Sequence, residues 1–568
     1  MITPKGLPLV KTGLTLDRRA TRFRRWVTPI LVGLFVIASI VTIRPRSPRR
    51  AAPPTAAQVL IVEGRQLVDV AAAVRGVGGK IVHELGIINA VAAELTPSQA
   101  AKLRRSRAVT RIDQNHTVEV AGPPETHYPT IVGADQLHDA GIDGEGVTVA
   151  VLDTGMWKPN SLAKDVNGKS RVLAQYDVIR HRMNPLEYAS GGYFSPINDP
   201  SGHGTHVTSI IASSAESSTR NYNGVAPSAR LVSVKAFGAD GSGFYADVIK
   251  GLDWIVVNKI RFGIRVVNLS FSAPPRSHYW DDPLNKAVMG VWQAGIVVVA
   301  SAGNRGPGAM SIGVPGNVPY VITVGAASDN YTPALLSDDK LCSFSAAGPT
   351  VEGFLKPELI APGGHNVALM QSDSEIAVTH PEFKLQNDYY KMSGTSQAAA
   401  VVSGVVALLL QAQPTLTPDD VKCRLIASAR PAVTATGALA YSVFQQGSGL
   451  VNAHAAVFGS AGGCANRGLD VTRDLTGLQH YGGPADRDPS GAFYVRNLDG
   501  YTWNGAYSGT GGYPWSDGYP WSDGYPWSDG YPWSDGYPWS DGYPWSDGYP
   551  WSDGFGETMS INTWVPQE

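Results

Sequence analysis

Short apolar runs rich in Val and Ile alternate with helical segments from about residue 131 to residue 457, and this pattern restricts the fold most. The runs are 147–152, 231–234, 264–269, 296–300 and 321–324, and helical stretches such as 246–258 and 283–293 lie between them. The runs lack the polar alternation of a sheet with one wet face, so they predict strands covered on both faces. Such strands separated by helices predict an α/β domain with a doubly wound, mostly parallel sheet.

Four polar residues are candidates for a site: Asp153, His203, Asn304 and Ser396. Asp153 and Asn304 lie just past predicted strands, Ser396 lies where a long apolar helix begins, and His203 lies in the motif SGHGTH. In a sheet of this type, sites form outside the carboxyl ends of the strands. A serine hydroxyl becomes a nucleophile when an imidazole takes its proton and a carboxylate orients that imidazole. An Asn amide and a backbone N–H at a helix N-terminus can stabilise the oxyanion that then forms. The set therefore indicates nucleophilic catalysis, although each residue alone is weak evidence.

The motifs around these residues resemble those of the subtilisin-like (subtilase) serine peptidases. They are Asp153 in VAVLDTG, His203 in GHGTH, Asn304 in ASAGN and Ser396 in SGTSQA, in the family's order. The resemblance covers roughly residues 128–457 and implies a subtilisin-like fold and a serine endopeptidase. It implies that Ser396 is the nucleophile, His203 the general base and then acid, Asp153 its orienting carboxylate and Asn304 the side-chain oxyanion donor.

The resemblance also implies two substrate-binding segments, with Ser270, Phe271, Ser272, Gly241, Ser242 and Gly243 as candidates. Phe271 and Ser272 stand in a run that is usually small and contains Gly, which predicts a narrower pocket. Gln397 stands where Met is common after the serine.

No cofactor is expected for the chemistry, and structural calcium is left unassigned. His203 and His206 form an HxxH pair, but no Glu or third ligand accompanies them, so we do not expect a metal there.

The N-terminal 56 residues predict export. Residues 26–43 are an uncharged run of 18, preceded by five arginines and followed closely by four. This length approaches a membrane span. Two interpretations stay open, a cleaved signal and a retained transmembrane anchor. In both, the catalytic domain lies outside the cytoplasm, secreted or membrane-anchored. The predicted divisions here are a basic segment 1–25, the apolar segment 26–43 and a linker 44–56.

Residues 57–121 show the pattern βαββαβ of a small ferredoxin-like α+β domain. Thr96 followed by Pro97 is typical of a helix start, and the last strand is predicted at 108–112. In position and pattern the segment resembles the inhibitor propeptide of secreted subtilases. That resemblance implies a zymogen that removes its own propeptide, with the tail 111–121 in the active cleft and cleavage near Ala121.

The peptidase domain is predicted at 122–458, followed by a Gly-rich region 459–512. Residues 513–554 repeat the sequence YPWSDG seven times, and a tail 555–568 follows. Pro in every unit excludes a continuous helix, and Ser-Asp-Gly is typical of turns. Two interpretations of the repeat stay open, a spacer and an array of aromatic faces that bind a cell-surface polymer.

Charge and cysteine content restrict the remaining functions. Residues 121–568 hold 27 Lys and Arg against 41 Asp and Glu, and this acidic balance argues against nucleic-acid binding. The three cysteines allow a Cys423–Cys464 disulfide or free buried thiols. The expected partners are protein or peptide substrates and the chain's own propeptide. A surface adhesion protein on an inactive peptidase scaffold is the alternative, but the complete set of catalytic residue types favours the enzyme.

Overall fold

The computed structural model describes residues 57–115, 123–183 and 198–507, together with the backbone of 531–532 and 559–560. The chain divides into two compact units, Met1–Glu119 and Val120–Glu568, to which these residues belong. The predicted export segment 26–43 and nearly all of the repeat lie outside the described residues.

The first unit has the predicted element order βαββαβ. Its elements are β1 (Gln58–Glu63), α1 (Leu67–Gly76), β2 (Lys80–Leu85), β3 (Ala90–Leu95), α2 (Pro97–Leu103) and β4 (Arg111–Gln114), with a 3-10 turn at Gly86–Ile88. The antiparallel sheet runs β2-β3-β1-β4. Helix α2 begins as expected at the Thr96 side chain, which accepts the N–H of Gln99 in a capping box. The last strand starts three residues later than predicted, because a turn at Ser106–Val109 precedes it.

The second unit contains the remaining strands. They are β5 (Thr148–Asp153), β6 (Val172–Asp177), β7 (Arg230–Lys235), β8 (Ser242–Gly243), β9 (Ile264–Leu269), β10 (Val297–Ser301), β11 (Ile322–Ser328), β12 (Lys340–Leu341), β13 (Leu359–Pro362), β14 (Asn366–Leu369), β15 (Lys384–Gln386), β16 (Tyr389–Met392), β17 (Tyr481–Gly482), β18 (Ala485–Arg487), β19 (Phe493–Val495), β20 (Tyr531–Pro532) and β21 (Met559–Ser560).

Its helices are α3 (Tyr128–Ile131), α4 (Asp135–Asp139), α5 (Asn160–Ala163), α6 (Val178–Met183), α7 (His203–Ala212), α8 (Tyr245–Val257), α9 (Lys259–Phe262), α10 (Pro283–Gln293), α11 (Glu375–Thr379), α12 (Thr395–Ala412), α13 (Pro418–Ser428), α14 (Val443–Gln446), α15 (Ala453–Phe458) and α16 (Val471–Leu475). Two 3-10 turns lie at Leu336–Asp338 and Pro381–Phe383.

The central sheet runs β12-β11-β10-β9-β5-β7-β6, with β13 also paired to β11. Its pairs are parallel except β11 with β12, as the buried apolar runs predict. Within this sheet, β5 has β7 as its neighbour on one side and β9 on the other. The strand order therefore reverses beside β5, and a crevice opens at the carboxyl ends of β5 and β9.

Helix α12 packs against β9, β10, β11 and β13 and against α7. Among the helices described, it is the one long and apolar enough to cross a membrane, with a mean hydropathy of 1.5. Its most apolar stretch is 89 % buried inside the protein, which is the environment of a core helix. The long apolar run after Ser396 therefore builds the centre of the fold.

The region after 458, which the sequence leaves hard to interpret, packs on this core. Phe493 and Trp503 are buried against Phe444. Cys423 of α13 forms a disulfide with Cys464, with their Cα atoms 5.2 Å apart, while Cys342 stays a buried thiol. Of the two cysteine states left open, the structure has the disulfide.

A stack of three aromatic rings joins the region after residue 458 to the segment that follows β9. Trp280 lies between His278 and His480, with ring centroids 4.4 Å and 4.8 Å away and planes within 12°. Each imidazole has a buried carboxylate beside its Nδ1 atom, Glu352 at 3.2 Å and Asp474 at 2.8 Å. Asp474 also accepts hydrogen bonds from the Tyr279 and Tyr320 hydroxyls at 2.7 Å and 2.9 Å.

Candidate active site

Asp153 and His203 meet at the carboxyl end of β5. Asp153 is the last residue of that strand and His203 the first of α7. The Asp153 Oδ1 and His203 Nδ1 atoms are 2.8 Å apart, and their side chains are 1 % and 3 % exposed. The Thr154 N–H donates to the same carboxylate oxygen at 2.8 Å. The imidazole is thus held by its Nδ1 atom, which leaves Nε2 for the reaction.

Asp199 is a residue of this site that the sequence interpretation missed. It is fully buried and accepts the backbone N–H groups of Gly202 at 2.9 Å and Thr205 at 2.7 Å. It also accepts the Thr154 hydroxyl at 2.7 Å. These bonds fix the start of α7 and tie it to the residue after Asp153. The available signal was an Asp four residues before His203, a residue type that is typical of helix caps.

The pKa of His203 reflects opposing influences. Burial by itself lowers the pKa, because it disfavours the charged imidazolium. The charge of Asp153, its hydrogen bond and the charge of Asp199 act the other way, and the pKa is raised above its ordinary value. The site therefore favours an imidazole that takes up a proton readily.

Ser396 lies in the first turn of α12 and is 5 % exposed. Its hydroxyl donates to the Ser270 carbonyl oxygen at 3.0 Å, and the Ser270 hydroxyl donates back to the Ser396 carbonyl at 2.9 Å. The Ser396 hydroxyl hydrogen is therefore directed to the end of β9 in this structure and not to His203. Turning that hydrogen towards His203 needs a rotation about the Cβ–Oγ bond, and catalytic hydrogen bonds are often loose before substrate binds.

Asn304 is fixed against the residue that precedes Ser396. Its Oδ1 atom accepts the backbone N–H of Thr395 at 2.9 Å and the Thr395 hydroxyl at 2.8 Å. Its Nδ2 atom lies 3.4 Å from where a Cβ on Gly394 would be. The amide donor is thus held at the start of α12, where the helix dipole also favours negative charge.

The two candidate residues that follow Ser270 have different environments: Phe271 is in the core, whereas Ser272 is half-buried. Phe271 is 1 % exposed and its ring packs against Phe237 at 5.0 Å, so its side chain belongs to the core. This burial argues against the prediction that the Phe271 side chain contacts substrate. Ser272 is half-buried, and its Oγ atom lies 2.8 Å from a Cβ built on Gly303, and closer still to one on Gly313. The Ser272 hydroxyl therefore occupies the gap between these glycines.

The second candidate segment, 241–243, forms a turn and a short strand. Gly241 has φ +74°, a left-handed conformation that glycine adopts at little cost. Ser242 donates its backbone N–H to Asp240 at 3.0 Å. Ser242–Gly243 pairs antiparallel with Met559–Ser560. The segment can thus pair with an extended chain.

His206 has a structural environment. Its Nε2 atom lies 3.2 Å from the Tyr390 carbonyl, and Gln397 Nε2 lies 3.5 Å from its Nδ1 atom. Burial lowers its pKa to about 3, so the ring is neutral. Within 57–115, 123–183 and 198–507 there is no group of three or more His, Cys, Asp or Glu that could hold a metal.

The family model described as "Subtilase family" matches residues 144–449, which contain this arrangement. The chain belongs to the subtilase family. It is accordingly a subtilisin-like serine peptidase, as the motifs predict.

Two curated subtilases show the extent of the similarity. The serine protease AprX of Bacillus subtilis is 36 % identical over 352 residues, 60 % of this chain and 74 % of AprX. Subtilisin E of the same species is 31 % identical over 381 residues, 67 % of this chain and 83 % of subtilisin E. Among solved structures, a cold-adapted subtilisin-like serine proteinase is 29 % identical, covers 55 % of this chain and 88 % of its own, and has a TM-score of 0.38.

Proposed function

We propose that this subtilase is an exported serine endopeptidase, made as a zymogen, that works through Ser396, His203, Asp153 and Asn304. The observation that carries the proposal is the buried 2.8 Å contact between Asp153 and His203. The hydrogen bonds of Ser270 and Asn304 to the start of α12 support it. We expect the chemistry to need no cofactor, and structural calcium stays unassigned.

In the proposed reaction, the Ser396 Oγ atom attacks the substrate carbonyl carbon while His203 Nε2 takes the hydroxyl proton. The charge that develops on the carbonyl oxygen is stabilised by the Asn304 amide and by backbone N–H groups at the start of α12. The imidazolium then gives its proton to the leaving amine, and an acyl-enzyme remains on Ser396. Water attacks that ester with the same proton relay, which releases the acid and restores the serine.

We further propose that the unit containing 57–115 is an inhibitory propeptide, with cleavage near Ala121. Its βαββαβ order and its position directly before the peptidase unit support this. We expect the wild type to lose residues up to about Ala121 and Ser396→Ala to keep them, because the variant lacks the nucleophile. Intact-mass spectrometry of both purified proteins measures this. The same uncut N-terminus in both, with a fully active wild type, would refute self-processing.

Export and anchoring are proposals of the same kind. The Cys423–Cys464 disulfide supports export, because disulfides persist in oxidising compartments. Fractionating cells that produce the uncut Ser396→Ala protein separates the two interpretations of 26–43. A retained anchor leaves this protein in the membrane fraction, and a cleaved signal leaves it soluble.

We propose that Ser272 restricts the pocket to small side chains on the residue before the scissile bond. Its hydroxyl fills the gap beside Gly303, one residue from the candidate oxyanion donor. Ser272→Gly should raise kcat/KM for Phe or Leu at that position by about 10-fold relative to Ala, because one heavy group in a pocket has that effect. Peptide anilides with varied side chains measure the ratio. Ser277→Gly, five residues away, is the matched control, and equal ratios in the two variants would contradict the role of Ser272.

The YPWSDG array is proposed to serve attachment or reach and not chemistry. Each unit offers one Asp and no His, so it lacks acid–base groups that work near neutral pH. A chain that lacks residues 513–554 but keeps 555–568, whose Met559–Ser560 pairs with Ser242–Gly243, should cleave small peptides at unchanged rates. Loss of retention on cell-wall polysaccharide would favour the aromatic array, and unchanged retention would favour the spacer. A large fall in the melting temperature would contradict both.

A further inference from the structure

A largely buried His–Asp pair lies next to the residues that precede Ser396 in the chain. Asp329 directly follows β11 and His365 lies in the turn between β13 and β14. The His365 Nε2 atom makes a short contact with the Asp329 carboxylate, and the two side chains are 11 % and 9 % exposed. The mechanism above makes no use of either residue.

The turn that contains His365 is bonded directly to the two residues before Thr395. The His365 backbone N–H donates to the Ser393 hydroxyl at 2.7 Å. The Gly394 N–H donates to the Gly363 carbonyl at 2.8 Å. Gly363 has no room for a side chain, because a Cβ there would lie 2.8 Å from the Gly394 carbonyl oxygen. The position of this turn therefore fixes the position of the chain just before Ser396.

His365 holds a backbone conformation that its own residue type disfavours. Its φ is +37°, and Tyr331 has φ +62°, both in the left-handed region. The two rings stack with centroids 3.8 Å apart and planes 12° apart. Such conformations are uncommon for residues other than glycine and persist only where the surroundings impose them. The Asp329 contact and the Tyr331 stack are the side-chain contacts that can impose this one.

Packing does not enclose the pair on every side. A cavity of about 300 Å³ is lined by residues that include Asp329, Tyr331, Gly364, His365 and Lys391. The His365 Nδ1 atom is buried without a hydrogen-bond partner. The Gly363 and Gly364 N–H groups bond to the Ala327 carbonyl at 2.8 Å and 3.0 Å, so backbone bonds hold the first half of the turn. The His365 side chain is held by the Asp329 carboxylate and the stacked Tyr331 ring.

We propose that His365 is a positioning residue for Ser396, acting through Ser393 and Gly394 and anchored by Asp329. The proposal rests on Ser396 being the nucleophile. Loss of the anchor lets the turn move, and the start of α12 moves with it. A misplacement of about 1 Å at a reacting group can cost on the order of 100-fold in rate.

Two substitutions separate the anchor from the backbone conformation. His365→Gly removes the anchor but adopts φ +37° without strain. His365→Gln keeps an amide N–H donor near the position of the imidazole Nε2 atom, which faces Asp329. We expect kcat on a peptide anilide to fall about 10- to 100-fold in the Gly variant, with KM within about 2-fold, and to recover at least in part in the Gln variant.

His380→Gly and His380→Gln are the matched controls. His380 also pairs with a carboxylate, Glu382 at 3.0 Å, and stacks on Phe383 with centroids 4.8 Å apart. Its stack lies on a separate turn, so both control variants should keep kcat within about 2-fold of the wild type.

Rates are expressed per active serine, counted with a fluorophosphonate that labels Ser396. A purely structural role would reduce the number of labelled sites and leave kcat per site unchanged, and that result in His365→Gly would overturn the proposal. If His365→Gly does not fold, Asp329→Asn is measured instead, and an unchanged kcat per site there would also overturn it. Failure of the wild type to label at Ser396 would refute the proposed function and not this inference alone.

Discussion

Ser396→Ala should lower turnover by about 10⁶, the size known for loss of the nucleophile in subtilisin, a member of the same family. Alanine removes the Oγ atom that we propose forms the acyl-enzyme and leaves the surrounding bonds of Thr395 to Asn304 in place. Casein and a peptide anilide measure the loss, and the melting temperature checks that the variant folds.

Ser403→Ala is the matched control for this result. Ser403 lies in the same helix, is also buried, and donates its hydroxyl to the Asn268 side chain at 2.8 Å. Its loss should reduce stability by about 1 kcal/mol and leave the reaction path intact. Hydrolysis by Ser396→Ala at a rate similar to that of Ser403→Ala would exclude Ser396 as the nucleophile.

Asp153→Asn should lower turnover by about 10⁴, because an amide facing Nδ1 favours the imidazole tautomer that cannot act as base at Nε2. It should also change the pH dependence. Only the neutral imidazole is a general base, so wild-type activity falls as the pH drops through the raised pKa of His203. Removing the Asp153 charge lowers that pKa, so the acid limb of kcat/KM should move to lower pH.

The comparison variant for this shift is Asp199→Asn. The charge of Asp199 also raises the pKa of His203, but the contribution is smaller than that of Asp153. Asp199→Asn should therefore move the acid limb in the same direction by less. An acid limb that stays unchanged in Asp153→Asn would show that another group governs it.

The sequence predicted those parts of the fold and site that local rules determine. The strand 264–269 and the helix 283–293 have the predicted bounds, because a buried apolar run and an Asp-Pro start define them without reference to the rest of the chain. Asp153 and Asn304 were found because each lies at or just past the carboxyl end of such a strand. The family resemblance then supplied the roles, which local pattern alone leaves undecided.

The parts that the sequence did not predict depend on distant contacts. Asp199 is 45 residues from Thr154 in sequence, yet it contributes through a bond to Thr154. It also bonds to the start of α7. The Phe271 side chain was predicted to contact substrate, but its ring packs against Phe237 in the core. Asp474 accepts hydroxyls from residues 195 and 154 positions earlier in the chain, and no spacing rule predicts such bonds.

The three-ring stack on Trp280 affects where this peptidase unit can be cut and joined to another subtilase. The family match ends at residue 449, yet His480 and Asp474, which lie beyond it, complete the stack and satisfy the Tyr279 and Tyr320 hydroxyls. A chimera joined at residue 449 would leave those two hydroxyls buried and unpaired, at about 1–3 kcal/mol each. The boundary for exchanging this unit between subtilases therefore lies beyond Trp503, which is still buried against Phe444, and not at the end of the family match.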